Sequence, residues 1–397
     1  MIKINKVHSP EFIGRYIDFS INKVLLPKIA ELIGISPPSE QVSISDFFNE
    51  HYLRFVLTAP PVDFENIIEH VYTRFPALAE RYCYSYVLKD IEINESFKDL
   101  DLKSNKGKDE FDVIIKDIVD ALTSWVHNKQ VYLTHNHISY LSSDISRSNK
   151  RKYLFRLKNA KRGRSQITDK IKIIFPKWIN KLEDCFDYGA ISEQFGHEIA
   201  QSMGLNVCPY CGMEPIQTYL GNDISIRPDL DHFYPKTRFP FLAISLYNMI
   251  PSGPICNQKH KKNHPMLGYM HPCVDSLDND NVFDFTYFPG KGILETLEIN
   301  VHHQNDSCKK NNLSIFKIKP LYNMNEDLRE WFKTAVELKD FFFQSGFDIN
   351  KTPNDHPMVK ATIDLTRPIT KVTAQKFKVE AMNIIFKTNL QTIPQKK

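Results

Sequence analysis

Three cysteines, a carboxylate, an imidazole and two amides fall close together in the middle of this chain. "CPYCG" holds Cys208 and Cys211, "LDHFYPKTRFPF" sets Asp231 beside His232, and "LYNMIPSGPICNQKHKKNH" carries Asn248, Cys256 and Asn257. Two thiolates separated by two residues can grip one Zn2+ from a tight turn, and Gly212 allows the backbone angles such a turn needs. A thioredoxin-like redox pair is the rival reading, but it should open a helix after a strand. The residues that follow, "MEPIQTYLGNDISIRPDLDH", read instead as a β-hairpin. Cys256 is the expected third zinc ligand. A symmetric site would place another cysteine at position 253, which is Gly253. His260, His264, His271 and Cys273 are the possible substitutes, an absent metal is the other alternative, and the fourth ligand stays open.

Asp231, His232, Asn248 and Asn257 together suggest hydrolysis. A neutral imidazole can take a proton from water. A carboxylate and an amide oxygen can hold a Mg2+ that keeps most of its waters, and such an ion can neutralise charge on a scissile phosphate. Asp231 and His232 are adjacent, so on an extended strand their side chains point to opposite sides. Both can serve one phosphate only if the chain bends there, and Pro235 fits such a bend.

These residues resemble the HNH endonuclease family, whose fold is the ββα-metal motif. The order is the family's: an Asp-His pair ending a first strand, an Asn sixteen residues after the His, and a metal-facing residue nine beyond that. Asn257 stands where the second histidine of the family name would be, so the chain is similar to the His-Asn-Asn branch. The resemblance implies that His232 is the general base, that Asp231 and Asn257 bind Mg2+ or Mn2+, and that Asn248 pins the loop orienting His232. It also implies a helix opening after Asn257, with Lys259, His260 and Lys261 in its first turn. His260, three residues past Asn257, would reach the metal or the leaving group. Lys236, Arg238, Lys259 and Lys261 are the candidate phosphate contacts. The likeness spans residues 205 to about 265 of 397. Residues 1–200 and 266–397 match no nameable family.

Elements elsewhere must position this centre. "FENIIEHVYTRFPALAERYCYSYVL" and "EFDVIIKDIVDALTSWVHNK" repeat apolar residues at three- and four-residue intervals and predict amphipathic helices, with the polar "NESFKDLDLKSNKGKDE" as a surface loop between them. Phe64, Trp125 and Trp178 are expected in the core. "ISEQFGHEIAQSMGLN" predicts a helix ended near Gly204. After a polar turn at "SLDNDNVFDF", the stretches "GILETLEINVHH" and "NLSIFKIKPL" predict a strand pair, and "NEDLREWFKTAVELKDFFF" a helix with Asn325 as N-cap. The fold expected is α+β: a helical domain over 1–200, an HNH unit over 201–270 and a mixed region over 271–397.

Composition narrows the class. Hydrophobic residues at 42% and charged residues at 25% are ordinary for a globular protein, and no apolar run is long enough to span a bilayer. "MIKINKVHSPEF" lacks an apolar signal core, so a cytoplasmic address is expected. Seven cysteines, of which Cys83, Cys185, Cys256, Cys273 and Cys308 have no near neighbour of their kind, argue against a disulfide framework. The net charge is only +4, yet Arg147 to Arg164 holds nine Lys or Arg and no acid, a density suited to a phosphate backbone. The function expected is a divalent-metal-dependent DNA endonuclease leaving a 5′-phosphate and a 3′-hydroxyl, an effector of bacterial anti-phage defence. The alternatives are a zinc-ribbon module that binds nucleic acid without cutting, and an assembly subunit silent until a partner such as an ATPase or RNA engages it.

Overall fold

The computed structural model describes residues 1–6, 8–164, 169–302 and 312–396. Cys308 and His303 lie outside them. The architecture is α+β, with a mostly helical region up to Ser202 followed by small antiparallel sheets and further helices. Buried side chains from 1–200, 201–270 and 271–397 join one contiguous core, which includes Phe64, Trp178, Leu230, Phe283 and Phe377. Trp125 packs against that core half-buried.

Local chemistry sets the helix ends. The Asn105–Val126 helix starts where Ser104 accepts the Gly107 amide at 3.1 Å, and the Glu326–Ser345 helix where Asn325 accepts the Leu328 amide at 2.8 Å. The loop predicted before the first of these is interrupted by a short turn of helix, Glu95–Lys98. The Tyr188–Ser202 helix ends before Gly204, whose φ of 62° only glycine adopts without strain. The run from Phe64 to Leu88 is three helices, Phe64–Arg74, Pro76–Tyr82 and Tyr84–Val87. Pro76 has no amide hydrogen to continue the first, and Phe75 before it leaves the helical conformation, as Cys83 does between the next two.

Three two-stranded antiparallel sheets follow among the described residues. β1 (Tyr219–Leu220) and β2 (Ser225–Ile226) form the predicted hairpin. β3 (Asp229–His232) pairs with β4 (Met249–Ser252), in the register Asp231 to Ile250 and His232 to Met249. β5 (Phe283–Thr286) pairs with β6 (Glu298–Val301). The last sheet corrects the expected strand pair. The partner of "LEINV" is "FDFT", which alternates buried Phe283 and Phe285 with exposed Asp284 and Thr286. "NLSIFKIKPL" instead begins two short helices, Asn312–Ile315 and Ile318–Asn323, with Leu313, Phe316 and Ile318 buried at helical rather than alternating spacing.

Candidate functional site

The thiol knuckle is built on a tight turn. Gly212, at φ 67°, donates its amide to the Cys208 carbonyl at 2.8 Å. The amides of Met213 and Glu214 both point at Cys211 Sγ, each at 3.4 Å. Cys256 arrives from a single wide turn of helix, Ile255–Lys261, closed by a π-type bond from the Lys262 amide to the Asn257 carbonyl at 2.9 Å. The ligand atoms of Cys208, Cys211, Cys256 and Glu214 lie within 4.8 Å of one another. Glu214 Oε1 accepts the Ile255 amide at 3.2 Å, whereas Oε2 is buried without a partner.

Glu214 also explains Gly253. A Cβ at position 253 would lie 1.8 Å from Glu214 Oε2, so the carboxylate fills the space a side chain there would need. The fourth position of the cluster is therefore Glu214's, and His260, His264, His271 and Cys273 are not in it. Glu214 stands three residues after Cys211, a spacing that could have drawn attention to it. Burial pushes the Cys208 thiol up and the Glu214 carboxyl up, while hydrogen bonds from Cys208 and Cys256 hold Cys211 well down. Three thiols and a carboxyl packed this closely need a cation to ionise together, and a Cys3Glu donor set fits tetrahedral Zn2+.

Asp231 and His232 sit on β3, and the sheet pairing continues unbroken through both. The bend expected between them is absent, and their side chains engage different partners. Asp231 is buried and gives both oxygens away: Lys261 Nζ donates to Oδ1 at 2.8 Å and the Tyr210 hydroxyl donates to Oδ2 at 2.6 Å. Lys261 also donates to the His232 carbonyl oxygen at 2.6 Å. Burial pushes the Lys261 ammonium below its usual range, against the pull of Asp231. Tyr210, inside the thiol knuckle, stacks on Phe316 with ring centroids 4.3 Å apart.

The His232 ring lies 2.8 Å from the Ala243 carbonyl through Nε2 and packs edge-on against Tyr188 at 4.5 Å. A carbonyl only accepts, so Nε2 carries the proton and Nδ1 presents its lone pair. Burial, then the charge of Lys236, pushes His232 down to about 3, keeping the imidazole neutral. Asn248 is fully buried and its amide braces the loop after β3: Oδ1 accepts the Tyr234 amide at 2.8 Å, and Nδ2 donates to the carbonyls of Tyr234 at 3.0 Å and Leu242 at 2.8 Å.

Asn257 donates to Asp229 Oδ2 at 3.1 Å, where Gln258 also donates at 2.8 Å. Mg2+ or Mn2+ requires an open carboxylate oxygen and room for its waters. With Asp231 saturated by Lys261 and Tyr210, the Asp231–Asn257 pair as arranged does not fit such an ion. His260 is on the wide turn with Asn257, partly exposed, and burial lowers it below its usual value. The site residues missed in the sequence are Tyr210, Glu214 and Asp229, together with Lys261 in its role as the partner of Asp231.

The expected phosphate contacts divide. Lys261 is buried against Asp231. Arg238 is buried and donates to the backbone carbonyls of Gly163 at 2.9 Å and Asn263 at 3.4 Å. Lys236 lies over the Tyr188 ring at 4.7 Å, and Lys259 is exposed. In the basic segment Arg147 pairs with Asp112, Lys158 and Arg162 share Glu95, and Arg151 bonds the Leu100 carbonyl, so part of the segment is engaged within the fold. No family model, curated protein or solved structure matches this chain. No helix among the described residues is long and apolar enough to cross a membrane.

Proposed function

We propose that this chain is an HNH-type endonuclease acting on DNA in the cytoplasm, with a structural Zn2+ at Cys208, Cys211, Glu214 and Cys256. The observation that carries the reading is His232: a neutral imidazole whose Nε2 is tied to the Ala243 carbonyl, on a strand pair followed at once by the turn bearing Asn257. Water would give a proton to Nδ1 while its oxygen bonds phosphorus. The bond from phosphorus to the 3′ oxygen breaks, that oxygen takes up a proton, and the products are a 5′-phosphate and a 3′-hydroxyl. Asn248 braces the loop that leads to Ala243. A dependence on Mg2+ or Mn2+, which the resemblance implies, would require Asp231 to part from Lys261, and no step is assigned to either ion. A role in anti-phage defence rests on the resemblance alone.

The test is nicking of supercoiled plasmid by the purified protein with Mg2+, with Mn2+ or with EDTA, beside His232→Ala. Nicking lost in the variant supports the reading. Equal nicking by both proteins removes His232 from it. A second reading has its own support, because Asp231 is saturated and buried. On that reading the chain is a zinc-stabilised nucleic-acid-binding or assembly subunit, silent without a partner such as an ATPase. It predicts DNA binding without cleavage in any metal.

A further inference from the structure

A cleft of about 1130 Å3 opens where three distant segments meet: Ser85 to Lys89, Lys161 to Arg164, and the loop from Lys261 to Tyr269. Seven cations line it, and among its described lining residues there is no carboxylate. The whole chain carries a net charge of only +4, so this concentration is local. It does not come from a single run of like charge in the sequence. Lys89 comes from the segment after the Tyr84–Val87 helix, Arg162 and Arg164 from the end of the Arg147–Lys161 helix, and Lys262 from the end of the wide turn.

The walls are fixed to one another. Arg238 reaches across the floor to the carbonyls of Gly163 and Asn263, one on each side. A Cβ at Gly163 would fall 2.7 Å from the Pro265 ring, so the Gly163 backbone packs directly on that ring. Lys89 is held over the Tyr86 ring at 4.3 Å, and Lys161 donates to the Ile91 carbonyl at 2.7 Å, which positions both ammonium groups at the rim. At the inner end stands Lys261, whose ammonium bonds Asp231 and the His232 carbonyl. The cleft therefore reaches the Asp231–Lys261 pair.

We infer that this cleft is the nucleic-acid channel of the protein, its rim cations meeting successive backbone phosphates. Small-molecule pockets are about 300–1,000 Å3, whereas this one is larger and lined by seven cationic residues. Lys261 and Arg162 are engaged with Asp231 and Glu95, and Arg238 with two carbonyls, yet Lys89, Lys161, Arg164 and Lys262 still exceed what a single small anion needs and suit the charge spacing of a polyphosphate backbone. The inference rests on the proposed nuclease reading and brings the nucleic acid to the Asp231–Lys261 pair beside β3. It moves the phosphate contacts away from Lys236 and Lys259, where the sequence motif suggested them.

The test separates binding from cleavage. Full-length protein with no divalent ion added is titrated into fluorescein-labelled single- and double-stranded DNA over a range of NaCl concentrations. The variant Lys89→Gln/Arg164→Gln/Lys262→Gln is compared with Lys103→Gln/Lys106→Gln/Lys108→Gln, which removes the same charge elsewhere, and both are checked for parental melting behaviour. Each lost phosphate contact lowers the salt slope by about 0.7–0.9, so the cleft variant should lose roughly two to three units of slope and bind about tenfold or more weakly at 0.1 M salt. Equal weakening by both variants, or none by either, overturns the inference. Nicking that persists unchanged in the cleft variant overturns it too and leaves the nuclease reading intact. Cleft-dependent binding without cleavage does the reverse.

Discussion

Lys261 Nζ lies 2.8 Å from Asp231 Oδ1, and both side chains are almost wholly removed from water. Each charge is tolerable only because the other is there, with Tyr210 and the His232 carbonyl completing the hydrogen bonds. Removing one partner strands the other. Lys261→Met and Asp231→Leu should therefore each cost about 3–5 kcal/mol, while the double variant Lys261→Met/Asp231→Leu should recover much of that loss. Urea unfolding of the four proteins measures the cycle. Near-additive losses in the double variant would mean that the two groups are not coupled.

The metal cluster makes a different demand. Glu214→Ala should lower bound zinc, read by elemental analysis of the purified protein. Gly253→Cys alone should be destabilised, because its Cβ would meet the Glu214 carboxylate. Combining Glu214→Ala with Gly253→Cys should restore metal binding as a four-thiolate site, seen after Co2+ substitution as stronger thiolate-to-metal absorption. Unchanged zinc content in Glu214→Ala would show that the carboxylate is not a ligand.

Four histidines are held neutral by burial: His232 and His271 near 3, His8 and His137 near 4. Unfolded histidine titrates near 6.5, so between about 6.5 and 3 the unfolded chain binds more protons than the folded one. Stability should consequently be full above pH 6.5, fall as pH drops, and level only near pH 3. Each histidine contributes on the order of a few kcal/mol to that loss. Denaturant midpoints measured from pH 7.5 to 4.5 should slope downward, and less steeply in His271→Phe. A flat profile would mean that these rings gain protons in the folded state as readily as in the unfolded one.

The sequence showed which residues form the centre better than it showed what they bond to. Spacing brought out the Cys208–Cys211 knuckle, because a short turn imposes local geometry, whereas the loop-bracing role of Asn248 came from the family resemblance. The Glu214 carboxylate was missed despite standing three residues after Cys211, because its place also depends on Gly253, thirty-nine residues later, leaving room for it. The role of Lys261 was hidden for a similar reason. On an α-helical turn it reads as a surface cation, and only the wide π-type turn packed on β3 turns it inward to Asp231. The β5–β6 pairing was missed because the apolar alternation in "FDFT" is shorter than the polar stretch before it.

Tyr210 ties the two halves of the site together. It lies between the ligands Cys208 and Cys211, and its hydroxyl donates to Asp231 Oδ2 at 2.6 Å. The wide turn makes a parallel link, with Cys256 near its start in the thiol cluster and Lys261 at its end on Asp231. Metal at the thiols should thus hold both donors of Asp231 in place. Tyr210→Phe keeps the ring on Phe316 but leaves one buried carboxylate oxygen without its donor, a loss of about 1–3 kcal/mol. Zinc content should be unchanged, whereas stripping zinc from the parent protein should cost at least as much and expose Lys261 to amine-reactive labelling. If zinc removal leaves Lys261 as protected as before, the knuckle does not support the Asp231 centre.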